Sequence, residues 1–265
     1  MHNSQCIVDA VWRAAIFFVS LVWCFPAAAQ DIDWRGAYIG GFGGAARADR
    51  PFATELSGEW SNPANPLNQE DRDALLPLLN RGQTTIGATG GAATGYNWQM
   101  DNLLLGVEAD YSAIDGKNKT TGYVTAVSPY RVDTSTDIDW IATLRGRLGI
   151  THDRTLAYIT GGLAFGDPSF NQTITQLNFP YVETGTSNAT KMGWALGAGL
   201  EHALDDAWSF RLQYLHIDLG SQSTDTGGVC PPPDVATCGV YTGSRRVGFT
   251  LDSMTAGISY RFTGL

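Results

Sequence analysis

Between Leu103 and Ile114 the sequence alternates strictly, and no other feature restricts the fold as much. Leu103, Leu105, Val107, Ala109, Tyr111 and Ala113 fall on one face, all apolar, while Leu104, Gly106, Glu108, Asp110 and Ser112 fall on the other. A period of two belongs to a strand whose faces meet unlike surroundings; a helix would repeat every third or fourth position. Asp137 to Ile150 repeats the pattern, with Ile138, Trp140, Ala142, Leu144, Gly146, Leu148 and Ile150 opposite Asp139, Thr143, Arg145 and Arg147. Six further segments read as strands: Trp34 to Ala46, Thr84 to Gln99, Thr155 to Gly166, Met192 to Ala203, Ala207 to Leu219 and Val247 to Phe262. Eight is an even number, which suits antiparallel closure into a barrel without free edges. Composition agrees: 16% of residues are charged and 31 of 265 are Gly, against averages of about 25% and 7%. So few charges among so many aromatics exclude a disordered chain. A net charge of −9 excludes a general nucleic-acid binder.

The first 29 residues read as a cleaved signal peptide, leaving 30–265 as the barrel. Ala14 to Phe25 contains one hydroxyl and no charge, and Pro26-Ala27-Ala28-Ala29 supplies the small residues of a cleavage site after Ala29. Twelve uncharged residues are too few to cross about 30 Å of hydrocarbon as a helix. A lipid anchor at Cys24 is disfavoured by bulky Trp23 before it. Cys230 and Cys238 then remain, and an exported chain permits them to form one disulfide. Closing that short loop would contribute about 2.5 kcal/mol in the chain-entropy model.

The connections alternate in length. Met100 to Asn102, Thr151 to Arg154 and Leu204 to Asp206 are tight polar turns, whereas Arg47 to Gln83, Asp115 to Thr136, Asp167 to Lys191 and Gly220 to Arg246 are long. Short periplasmic turns opposite long extracellular loops mark a barrel of the outer membrane. Charges of both signs on adjacent strands point inward in that arrangement: Glu108 and Asp110 beside Arg145 and Arg147, with Glu201 and Arg211 as a further pair. Trp98, Tyr111, Trp140, Trp194, Trp208, Tyr214, Tyr260 and Phe262 then form the aromatic girdles at the two interfaces. The expected fold is all-β, an eight-stranded antiparallel up-and-down transmembrane β-barrel with four long extracellular loops. The opposite orientation, a soluble periplasmic barrel with the apolar face inside, is the rival.

Several segments resemble small outer-membrane β-barrel surface antigens of the opacity and OmpA-like transmembrane type, common in alphaproteobacteria. Asp33-Trp34-Arg35-Gly36-Ala37-Tyr38-Ile39-Gly40 resembles their opening strand, and Thr143-Leu144-Arg145-Gly146-Arg147-Leu148-Gly149 their R-x-R-x-G strand. Tyr158 to Gly166 and Gly193 to Glu201 are similar to the two strands that follow, and Ser259-Tyr260-Arg261-Phe262 to the C-terminal assembly signal. The resemblance implies an outer-membrane location, contact with membrane lipid, and recognition of Tyr260 and Phe262 by the barrel-assembly machinery. Two departures stand out. Thr263, Gly264 and Leu265 follow the terminal aromatic, and Gln213 replaces a Glu that relatives often carry.

Signals for chemistry are sparse. Gly41 to Ala46 satisfies G-x-G-x-x-A, but no helical periodicity follows to receive a pyrophosphate. His152, His202 and His216 have no evident nucleophile beside them. Neither an enzyme, a cofactor nor a metal site is expected. The inward charges read as a plug of ion pairs, because eight strands enclose room for little but side chains; a gated lumen is the alternative. Gln69 to Asn80 reads as a segment packing on its own barrel, or as a short amphipathic helix capping the mouth. The expected role is structural, with loops open to adhesive or antigenic contact with a host or cell surface; a small or gated pore is the second reading.

Overall fold

A computed structural model describes residues 32–229 and 240–262. The expected signal peptide, Cys230 and Cys238 with their expected disulfide, and the three residues after Phe262 lie outside them. Among the described residues there are eleven strands: β1 Gly36–Arg50, β2 Phe52–Gly58, β3 Gln83–Met100, β4 Leu103–Ile114, β5 Asn118–Thr125, β6 Pro129–His152, β7 Thr155–Gln176, β8 Val182–Asn188, β9 Lys191–Ala203, β10 Trp208–Val229 and β11 Tyr241–Arg261. A 3-10 turn, Glu59–Ser61, and helix α1, Pro66–Leu79, lie between β2 and β3.

Antiparallel pairing closes eight of these strands into a ring, in the order β1, β3, β4, β6, β7, β9, β10, β11 and back to β1. The tight turns sit together at what we term the lower end. Asp101 and Asp153 adopt positive φ there (51° and 52°), a conformation Asp tolerates better than most residues. In the third turn Asp205 Oδ1 accepts from the backbone N–H of Ala207 (2.8 Å) and Trp208 (2.7 Å).

The long connections are not irregular. Most are upward continuations of the barrel, so β6, β7, β10 and β11 run well past their expected ends. β5 continues the line of β4 beside β6, β8 continues that of β9 between β7 and β10, and β2 continues that of β1 beside β11. Above the ring the order is therefore β2, β11, β10, β8, β7, β6, β5. Helix α1 packs against both β2 and β5, in the position where an upward extension of β3 would lie.

Polarity inverts between the two tiers. On lower β6 the outward side chains are Trp140, Ala142, Leu144, Leu148 and Ile150, and Arg145 and Arg147 are buried inside. On upper β6 Tyr130, Val132 and Ile138 are buried inside, and Arg131, Asp133 and Asp139 face outward. A bulge between Ile138 and Ile141 makes the switch, because an extra residue reverses which parity faces the lumen. This corrects the placement of Ile138 on the Trp140 face: it points inward and is 3% exposed. A second bulge, between Asp218 and Ser221, does the same on β10, where Gly220 takes φ +74°. The lower tier thus wears its apolar residues outside and crosses the membrane. The upper tier has a polar coat, and apolar side chains fill much of its interior around a few buried polar groups.

Candidate functional site

The lower lumen holds a charge-balanced layer. Glu108 on β4 faces Arg145 on β6 in register, and its carboxylate accepts from Arg145 Nη2 (2.6 Å), Tyr38 Oη (2.7 Å) and Arg211 Nη1, with Arg147 Nη1 at 3.5 Å. Arg145 also donates to Asp110, which accepts from Thr143 as well. Arg147 donates to Glu201 and to Tyr38 Oη (2.7 Å), and its guanidinium lies 3.9 Å from the Tyr158 ring centre. Three carboxylates meet three guanidinium groups, and all six residues are buried. Such a layer is tolerable in a membrane because each charge has partners at hydrogen-bond distance. Beneath it, Trp34 with Arg261 over its ring at 4.8 Å, together with Ile32, Leu104 and Leu156, fills the lower end.

Above the charges the lumen turns apolar. Ile138, Ile141, Leu219 and Phe249 surround Phe52 and Phe170, whose ring centres are 5.5 Å apart. A cavity of about 20 Å³ remains between the layers, bordered by Phe42, Asp110, Arg145, Gln213 and Leu215. That space admits roughly one water.

A second sealed network lies in the upper tier. Glu183 on β8 accepts from Arg245 Nη2 (3.0 Å), Tyr181 Oη (2.7 Å), Trp60 Nε1 (3.2 Å) and Thr226. Trp60 packs against Tyr130, Tyr181 and Tyr241 at centroid distances of 6.0, 5.9 and 5.0 Å. Leu75 and Leu79 of α1 are fully buried against this cluster, and Asp71, one turn earlier, accepts from Val127 N (2.9 Å), Ser128 N (3.0 Å) and Tyr130 Oη (3.1 Å). Burial, reinforced by Glu183, raises the Tyr181 hydroxyl pKa well above its ordinary value; burial and Asp71 do the same to Tyr130.

The sequence-derived inner set Glu108, Asp110, Arg145, Arg147, Glu201 and Arg211 is thus brought together in one layer. The aromatic set lies on the outer wall in two groups. Trp98, Trp208, Tyr260 and Phe262 stand near the lower turns, with Trp208–Tyr260 and Tyr260–Phe262 edge contacts at 5.0 and 5.2 Å. Tyr111 stacked on Trp140 (5.8 Å), Trp194 and Tyr214 stand higher. Gly41 to Ala46 lies inside β1, paired on both sides to β3 and β11. Gln69 to Asn80 falls almost wholly within α1, which packs on its own barrel. The upper network of Glu183, Arg245, Trp60 and Tyr181 was not anticipated, although Tyr130-x-Val132-x-Thr134-x-Thr136-x-Ile138 carries the same period-two signal.

The outer membrane protein beta-barrel domain profile matches residues 15–262. The chain belongs to the outer-membrane β-barrel protein family. It is 34% identical over 206 residues to the 31 kDa outer-membrane immunogenic protein of Brucella melitensis, covering 75% of this chain and 77% of that protein. It is 28% identical over 178 residues to the 22 kDa outer membrane protein of Rhizobium leguminosarum, covering 67% and 68%. Among solved structures, OprG of Pseudomonas aeruginosa aligns with a TM-score of 0.45 at 13% identity, over 89% of this chain and 100% of that one. Family membership makes the protein an outer-membrane barrel, in keeping with its outward apolar wall, and the soluble periplasmic reading falls. The short turns are periplasmic and the upper tier extracellular.

Proposed function

We propose that this barrel is a non-enzymatic structural and surface protein: it contributes to envelope integrity, and its extracellular tier offers adhesive or antigenic contact to a host or cell surface. The observation that carries this reading is the filled lumen, where the space between the charged and apolar layers is a cavity of only about 20 Å³. Water-filled porins need 16 or more strands, whereas eight leave room for side chains only. The immunogenic naming of the Brucella relative supports exposure of the upper tier to the outside. In the same reading the barrel-assembly machinery takes Tyr260 and Phe262, on the final outward face, as its signal. The test is reconstitution into planar bilayers at neutral pH, beside a deletion strain scored for detergent sensitivity. A silent bilayer and a sensitised strain are expected; stable unitary steps would replace this reading with a small pore.

A further inference from the structure

On the outer wall, where β9, β10 and β11 leave the membrane, four side chains form a cluster that the lumen does not explain. Asp252 on β11 is paired in register with His216 on β10. His216 Nδ1 lies 2.8 Å from Asp252 Oδ1, and Tyr214 Oη donates to the same oxygen at 2.6 Å. The Trp194 ring on β9 lies 5.3 Å from the His216 ring. Both bonds fall on Oδ1, so Oδ2 keeps its acceptor capacity, with no hydrogen-bond partner among the described residues, on a side chain that is partly exposed. Trp194 and Tyr214 are 47% and 44% exposed.

The surroundings specify the ligand. One register below come Ala198 and Met254, then Leu200, Leu212 and Ala256, all outward and lipid-facing. One register above come Asp218 and Thr250, and beyond Asp252 on β1 stand Arg47 and Asp49, bonded to each other at 2.9 Å. Three outward carboxylates, Asp49, Asp218 and Asp252, offer acceptors to hydroxyl donors, and Arg47 stands among them. A flat aromatic face beside acceptors matches a sugar ring, which is apolar on its faces and polar at its rim. A sugar held here has its acyl chains directly on the apolar wall.

We propose that Trp194, Tyr214, His216 and Asp252 form a binding site for the hydroxyl-bearing sugar of an outer-leaflet glycolipid. The site rests on the membrane position of the wall, not on whether the lumen conducts. The full chain, folded in detergent and freed of lipid, is titrated with purified lipid A and followed by native mass spectrometry. Phosphatidylglycerol and the deacylated lipid A disaccharide serve as comparison probes. Wild-type protein is expected to retain one lipid A, and Trp194→Leu and Asp252→Asn to weaken retention about tenfold, the effect of losing one hydrogen bond or stacking contact. Boiling-dependent gel shifts check that both variants fold, and Trp194→Leu alone decides if Asp252→Asn does not. Equal retention by the variants, or equal retention of phosphatidylglycerol, would overturn the site. Disaccharide binding as tight as lipid A would overturn its assignment to a lipid.

Discussion

A carboxylate shut away from water persists as an anion only if donors replace its hydration, and Glu108 meets Arg145, Arg211 and Tyr38 at bonding distance. Removing one cation leaves a buried charge short of compensation. Arg145→Ala should therefore cost about 3–5 kcal/mol, read as a lower urea midpoint for loss of the boiling-dependent gel shift, with the bilayer still silent. An unchanged midpoint would mean the layer contributes nothing to stability. The partnership was legible because Glu108 on β4 and Arg145 on β6 below its bulge stand in stretches whose alternation needs no correction. Glu183 and Arg245 were not, since their strands lie in segments long enough to pass for loops. Tyr181 supplies a pH test in that upper network. Its raised pKa means the protonated hydroxyl is the form the fold prefers. Stability from this group is complete below the unfolded value of about 10 and is lost as pH rises beyond it. Alkaline titration followed by near-ultraviolet circular dichroism should show the upper aromatic signal collapsing above about pH 10, and later in Tyr181→Phe. Identical curves for the two proteins would assign the collapse to other groups.

At the scale of elements, two devices were invisible in the sequence for definable reasons. A bulge preserves local alternation on either side and changes only its phase, so Ile138 and Trp140 look like neighbours on one face although one points into the lumen and the other into lipid. Helix α1 was legible as a segment, but not as a stave, since its role depends on β3 stopping short of the upper tier. Asp71, Leu75 and Leu79 recur at intervals of four and are its buried residues, which is how the helix closes the gap between β2 and β5. Leu75→Ala should destabilise the upper tier by about 2–5 kcal/mol, the range for a fully buried leucine. Limited proteolysis would then cut between residues 52 and 82 much faster than in the wild type, while the gel shift persists. Loss of the gel shift along with proteolytic protection would show that α1 supports the membrane tier too.

For the whole molecule, the inversion of polarity implies two different sources of stability along the same strands. The upper tier buries Trp60, Phe170, Leu75 and Phe249 away from water, so the hydrophobic effect holds it together, and urea weakens that effect. The lower tier gains little from hiding apolar surface, because lipid or detergent already covers it. Its cohesion comes from a closed ladder of backbone hydrogen bonds with no alternative partner in hydrocarbon, and from the ion-pair layer. Urea should therefore act first on the upper tier. We expect two transitions in detergent: an early loss of near-ultraviolet signal and of protease resistance above the membrane, and a later loss of strand content and of the gel shift. Continuity argues the other way, since β6, β7, β10 and β11 pass through both tiers without a break and could transmit unfolding downward. The bulges at Ile138/Ile141 and Asp218/Ser221 favour separation, because they interrupt the ladder where the solvent environment changes. A single coincident transition for all probes would mean that the strands couple the tiers more strongly than the bulges divide them.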